Sequence, residues 1–125
     1  MGLFDFFKKT LTIDFSDDNV KHLTKLSDEL GETLIKADLG FYVDYMLQIR
    51  LAAERHDSDE FIKRVISREL FGGSGALWEI WIEDKQQQTK FNKQFCDYVD
   101  LLKKMGIKNG RVNQVRKVFN RNYNI

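Results

Sequence analysis

The apolar positions of this chain recur at helical intervals over most of its length. Val20, Leu23, Leu26, Leu30 and Leu34 form one stripe at spacings of three and four, the signature of an amphipathic helix. Ser16 or Asp17 is its expected N-cap, and Gly40 its expected left-handed stop. A second helix is predicted over "FYVDYMLQIRLAAER", with Phe41, Tyr45, Ile49 and Ala52 facing inward. Its apolar residues are dense enough to place it centrally. A third helix starts at Ser58, with Asp59 and Glu60 in its first turn, and buries Phe61, Ile62, Val65, Ile66 and Leu70. After a glycine corner, "ALWEIWI" reads as a short helix on Leu77, Ile80 and Trp81. Phe91, Phe95, Tyr98, Val99, Leu102 and Met105 mark a long amphipathic helix. "GIKNG" is a turn, and Val112, Val115, Val118 and Phe119 mark a last helix. Ahead of all this, residues 1–15 carry Leu3, Phe4, Phe6 and Phe7 and then "LTIDF". Such an apolar arm is expected to dock on the body. The sum is an all-α fold: a single-domain bundle of five to six helices over residues 16–125, with a docked N-terminal arm over 1–15.

Composition and charge narrow the functional classes. A chain of 125 residues can bury a core without disulfide or metal staples. There is no proline, so helices run uninterrupted and turns fall to Gly, Asn, Asp and Ser. Twenty basic residues face nineteen acidic ones, a net charge of +1 that argues against a dedicated nucleic-acid binder. The basic residues are nonetheless concentrated: from Lys103 to Arg121 there are seven and no acid. The single cysteine, Cys96, excludes an internal disulfide and is expected in the core. No stretch approaches the length of a membrane span, and "MGLFDFFKKT" fits neither a secretory signal nor, with Phe6 in place of Ser or Thr, the myristoylation pattern. The expected compartment is the cytoplasm.

Candidate chemistry is sparse. Gly72-Gly73-Ser74-Gly75 invites comparison with a phosphate-binding loop, but Gly75 is followed by Ala76 and Leu77 where such a loop needs Lys and Ser or Thr. A dinucleotide fingerprint needs a preceding strand, and a nucleophile elbow needs Gly-x-Ser-x-Gly. The glycines are instead expected to end one helix, with Ser74 capping the next and Gly75 allowing close backbone approach. His22 and His56 stand alone, without zinc-ligand spacing. Glu79 and Glu83, four apart with Asp84 adjoining, read as one acidic helix face. Arg111, Arg116, Lys117 and Arg121 give the last helix a basic face able to meet phosphates. No catalytic residue, metal ligand or cofactor site is assigned, and the chain is not expected to be an enzyme.

The order of features in "ELFGGSGALWEIWIED" resembles a pattern in small all-helical bacterial immunity proteins. The pattern is a helix ending Leu-Phe-Gly-Gly, a small-residue turn, an apolar segment with an internal acid, a polar break and then a Phe/Tyr/Leu helix. These proteins are the cognate antidotes of toxins delivered by type VI or contact-dependent secretion, and the pattern is similar in particular to those guarding against NAD-cleaving effectors. The likeness spans roughly residues 58–104. It implies a cytoplasmic protein without a reaction of its own that binds a toxin domain and occludes its active site. Carboxylates and an aromatic anchor suit a basic toxin cleft. The acidic candidates are Asp57, Asp59 and Glu60 at one helix start, and Glu79, Glu83 and Asp84 beyond the glycines, with Trp78 as the anchor. On this reading the partner is a cognate toxin protein, with no small-molecule substrate and no membrane. The alternative is a helical adaptor or regulator whose basic C-terminal helix contacts nucleic acid.

Overall fold

A computed structural model describes residues 12–125, so most of the arm of residues 1–15 lies outside the described residues. The fold is all-α. Helix α1 spans Asp17–Lys36, α2 Val43–Glu54, α3 Ser58–Val65, the single turn α4 Arg68–Phe71, α5 Lys85–Met105 and α6 Gly110–Tyr123. Short 3-10 turns cover Gly40–Tyr42 and Leu77–Glu79. Helix α1 packs against both α5 and α2, α2 against α3, and α6 against α5. One core results. Leu23, Leu26, Leu30 and Leu34 of α1 meet Phe91, Phe95, Tyr98, Val99 and Leu102 of α5, and Val112, Val115 and Phe119 of α6 close the far side. Phe95 lies at the hub, its ring 5.9 Å from Phe71, 5.6 Å from Phe91 and 5.0 Å from Phe119. Burial of some 150–250 Å2 per aromatic ring makes this cluster a large share of the driving force.

The part of the arm that is described does dock. Residues 12–15 cross the C-terminal end of α5: Ile13 is buried, and the Asp14 amide donates to the last helical carbonyl, Met105 O, at 2.7 Å. The approach is so close that a Cβ on Gly106 would collide with the Thr12 carbonyl. Phe15 stacks on His56 and meets Phe61 edge to face, tying the segment to the start of α3.

Three helices end in the same way. The amide two residues past the helix cap reaches back to the carbonyl five residues earlier: Leu39 to Leu34 at 2.8 Å, Asp57 to Ala52 at 2.9 Å and Ile107 to Leu102 at 3.1 Å. This Schellman closure needs a left-handed residue in the middle. Gly106 supplies it after α5, but Asp38 (φ 61°) and His56 (φ 54°) supply it after α1 and α2. The stop for α1 is therefore Asp38 and not Gly40, which opens the following 3-10 turn. A second correction concerns α2, which buries Ile49 and Ala52 as expected but adds Met46 and Ala53, with Tyr42 of the preceding turn, in place of Phe41 and Tyr45. Phe41 and Tyr45 are exposed, at 60% and 37%. Because α2 is apolar nearly all round, periodicity alone does not select the buried face. Helix α3 starts at Ser58 as expected, with the Asp57 side chain as its N-cap, accepting from Glu60 N at 3.1 Å. Beyond α3 the chain breaks at Ile66–Ser67, leaving Ile66 exposed.

Cys96 is buried on α5, where desolvation pushes its thiol up to about 11, against the nearby Arg116 charge that lowers it. The raised folded-state pKa means that above the ordinary value of 9.0 the unfolded chain releases a proton that the native chain keeps. Stability contributed by the thiol is thus complete below pH 9 and declines as pH rises through the folded value. Urea midpoints taken from pH 8 to 11 should fall, and Cys96→Ala should flatten that fall; parallel slopes would contradict the assignment. Replacing Asp38 by glycine should raise stability by about 0.5–1 kcal/mol, because the left-handed backbone then carries no Cβ penalty. His56→Gly should gain less, since it also gives up the stack on Phe15, and urea denaturation of the two variants side by side checks the order.

Candidate partner-binding surface

Between Phe71 and Lys85 the chain leaves helix, and the sequence shows why. Helix α4 is one turn long and runs into Gly72, where a Cβ would stand 2.5 Å from the Arg68 carbonyl oxygen. Gly75 then takes φ +88°, a conformation that side chains avoid. The close approach thus falls on Gly72; Gly75 supplies the handedness. Ser74 caps nothing, because the next element is only the 3-10 turn entered through Ala76. Ile80 is extended, residues 81–82 have no regular structure, and the chain bends at 83–84, where the Asp84 side chain caps α5 by accepting from Gln87 N at 3.0 Å.

This segment is pinned at several points. Arg111 of α6 donates from Nε to Phe71 O at 2.8 Å and from Nη2 to Gly72 O at 3.2 Å. Its guanidinium also lies over the Trp78 ring, 5.3 Å from the centroid. Trp78 Nε1 donates to the same Gly72 carbonyl at 2.6 Å. From the other flank the Tyr42 hydroxyl donates to Gly75 O at 2.6 Å. Ala76, Leu77 and Ile82 are buried, and the Ile82 amide donates to Gln88 Oε1. Each carbonyl named here would otherwise be an unsatisfied acceptor, costing on the order of 1–3 kcal/mol if buried.

Pinned in this way, the loop alternates. Ile80 and Ile82 turn toward the core, while Glu79, Trp81 and Glu83 face solvent. Trp81 is 76% exposed, the most exposed large apolar side chain among the described residues. The two tryptophans therefore exchange the places expected of them: Trp78 is half-buried and bonded, and Trp81 is the free aromatic surface. Glu79 and Glu83 share no helical face. Exposed and inward residues alternate with a period of two from Glu79, at the end of the 3-10 turn, to Glu83, in the bend before α5. That period is visible in "EIWIE", and it was masked because Leu77, Ile80 and Trp81 also satisfy helical spacing.

The remaining candidates fall into two sets. On α3, Asp57 is occupied as the N-cap, Glu60 pairs with Arg64 at 2.6 Å, and Asp59 is exposed. Helix α3 packs on α2, whereas the 77–79 turn packs on α4, so the two acidic groups belong to separate parts of the surface framework. In the other set, Asp84 faces solvent while capping α5. Among the described residues, no three His, Cys, Asp or Glu side chains come together as a metal site, and no helix is long and apolar enough to cross a membrane. Compared with known proteins, the chain matches no family model, no curated protein and no solved structure.

Removing Arg111 strands the Phe71 carbonyl, takes one of two donors from Gly72 O and uncovers one face of Trp78. Arg111→Ala should lower stability by about 1–3 kcal/mol in urea denaturation. Arg121→Ala, an exposed change on the same helix, should stay within about 0.5 kcal/mol of the parent. Equal effects would show that the Arg111 contacts carry no net stability.

Proposed function

We propose that this chain is an immunity protein: it binds a cognate toxin domain and blocks that domain's active site by occlusion, without chemistry of its own. The observation that carries the reading is Trp81, held out at 76% exposure between the carboxylates of Glu79 and Glu83 on a loop that is itself tied down. Large aromatics in such positions dominate binding energies, and flanking acids accelerate encounter with a basic cleft. A loop fixed before binding loses little conformational entropy on association. The likeness of "ELFGGSGALWEIWIED" to the immunity-protein pattern points the same way. The anchor, however, is Trp81 instead of Trp78, and Asp84 and Asp57 add charge while serving as caps. The rival reading, a helical adaptor meeting nucleic acid along its last helix, has less to draw on. Arg111 is engaged with Phe71, Gly72 and Trp78, and Arg116 with Asp100 at 2.8 and 3.2 Å.

The reading is tested by co-expression with the product of each gene that flanks this chain's own. The parent chain should restore growth and co-purify as a stoichiometric complex. Trp81→Ala should weaken that complex by about 2 kcal/mol or more by calorimetry, and Glu79→Lys with Glu83→Lys should mainly slow association. Both variants should melt like the parent, because these side chains are exposed. Full protection and unchanged affinity in both would remove this surface from the interface.

A further inference from the structure

On the face formed by the C-terminal half of α5, the turn after it and α6, an open groove of about 630 Å3 gathers most of the acid-free stretch of the sequence. Its walls bring together Lys103, Lys108, Arg116 and Lys117, with a single carboxylate, Asp100. That carboxylate is already spent. It accepts from Arg116 Nε and Nη2 in a forked pair, which holds the guanidinium in one orientation with its side chain only 18% exposed. The charge left over belongs to the three lysines. Two polar atoms of the lining residues are buried without a hydrogen-bond partner among the described residues: Arg116 Nη1 and Asn113 Oδ1. Both atoms are closed off from solvent, so they belong to the frame of the groove and not to its open lining.

The lining also says what kind of ligand fits. Ile107 is its only apolar residue, and it has no aromatic ring on which a base or sugar face could stack. What the groove supplies is compact positive charge from three exposed lysines, which suits phosphate oxygens. Its size is that of a small-ligand site. We propose that this groove binds a phosphate-bearing polyanion, a diphosphate or a longer run of phosphates, with Lys103, Lys108 and Lys117 supplying the charge. Free oligophosphate and the phosphate backbone of a nucleic acid share this chemistry. The site does not depend on the toxin-binding reading, and none of its lining residues belongs to the 72–84 segment.

The test is an amide chemical-shift titration of the 15N-labelled chain with pyrophosphate, with ATP and with a short single-stranded RNA. At least one should give saturable shifts centred on Lys103, Lys108, Asn113 and Lys117. Lys103→Glu with Lys117→Glu should weaken that binding by about tenfold or more and reduce its dependence on salt. The neutral pair Lys103→Gln with Lys117→Gln should weaken it less. A control pair of equal charge change on exposed α1 positions, Lys21→Glu with Lys25→Glu, should leave it near the parent value. Tighter binding of RNA assigns the phosphates to a nucleic-acid backbone, and tighter binding of pyrophosphate or ATP to a free oligophosphate. Absence of saturable shifts with all three ligands, or equal weakening by the α1 pair, would overturn the proposal.

Discussion

Arg111 does three jobs from one position. It satisfies the carbonyls of Phe71 and Gly72, which a one-turn helix leaves unpaired at its end, and it covers the face of Trp78. A four-residue helix cannot hold itself together, since nucleation outweighs the bonds it forms. What fixes α4 and the chain beyond it is therefore this clamp from α6, some forty residues later in the sequence, with Tyr42 closing on Gly75 from the opposite side. The glycine corner is a junction where two distant elements, together with Trp78 of the stretch itself, fasten the only long non-helical stretch among the described residues. Its carbonyls are acceptors for Arg111, Trp78 and Tyr42.

From that constraint follows the character of the surface. Because Ile80 and Ile82 are drawn inward, Trp81 and its neighbouring carboxylates are driven outward. The chain thus spends an indole on solvent, a cost offset only when something covers it. On the α5–α6 face the opposite sign prevails, with lysines gathered around an arginine that Asp100 holds still. The near-zero net charge conceals this separation. A molecule with +1 overall carries an acidic, aromatic loop and a basic groove on different elements, each suited to a different class of partner.

How much of this was legible in the sequence depends on how many readings the local pattern allowed. The stripes of α1 and α5 admit one solution: Leu23, Leu26, Leu30 and Leu34, and Phe91 through Met105, are buried as their spacing requires. The apolar Phe41–Leu51 stretch admits several, and the core chose Tyr42 and Met46 over Phe41 and Tyr45. "EIWIE" fits both a helix and an extended segment, and the choice was made by contacts distant in sequence, the hydrogen bonds from Arg111, Tyr42 and Gln88. Left-handed stops at Asp38 and His56 were hidden because glycine is the usual marker and Gly40 stood close by. Of the acidic candidates, the composition was right about charge but silent about which carboxylates cap helices, as Asp57 and Asp84 do. The pairing of Arg116 with Asp100 spans two helices and has no local signal at all.

The display of Trp81 requires that the stretch from Glu79 to Asp84 hold its shape before any partner arrives. Backbone 15N relaxation on the free chain measures this directly. Order parameters for Glu79, Trp81 and Glu83 near 0.85, equal to those of α5, are the expected result. Values below about 0.6 there, with α5 rigid, would mean that the Arg111 clamp does not reach the loop and that Trp81 is displayed by no fixed frame.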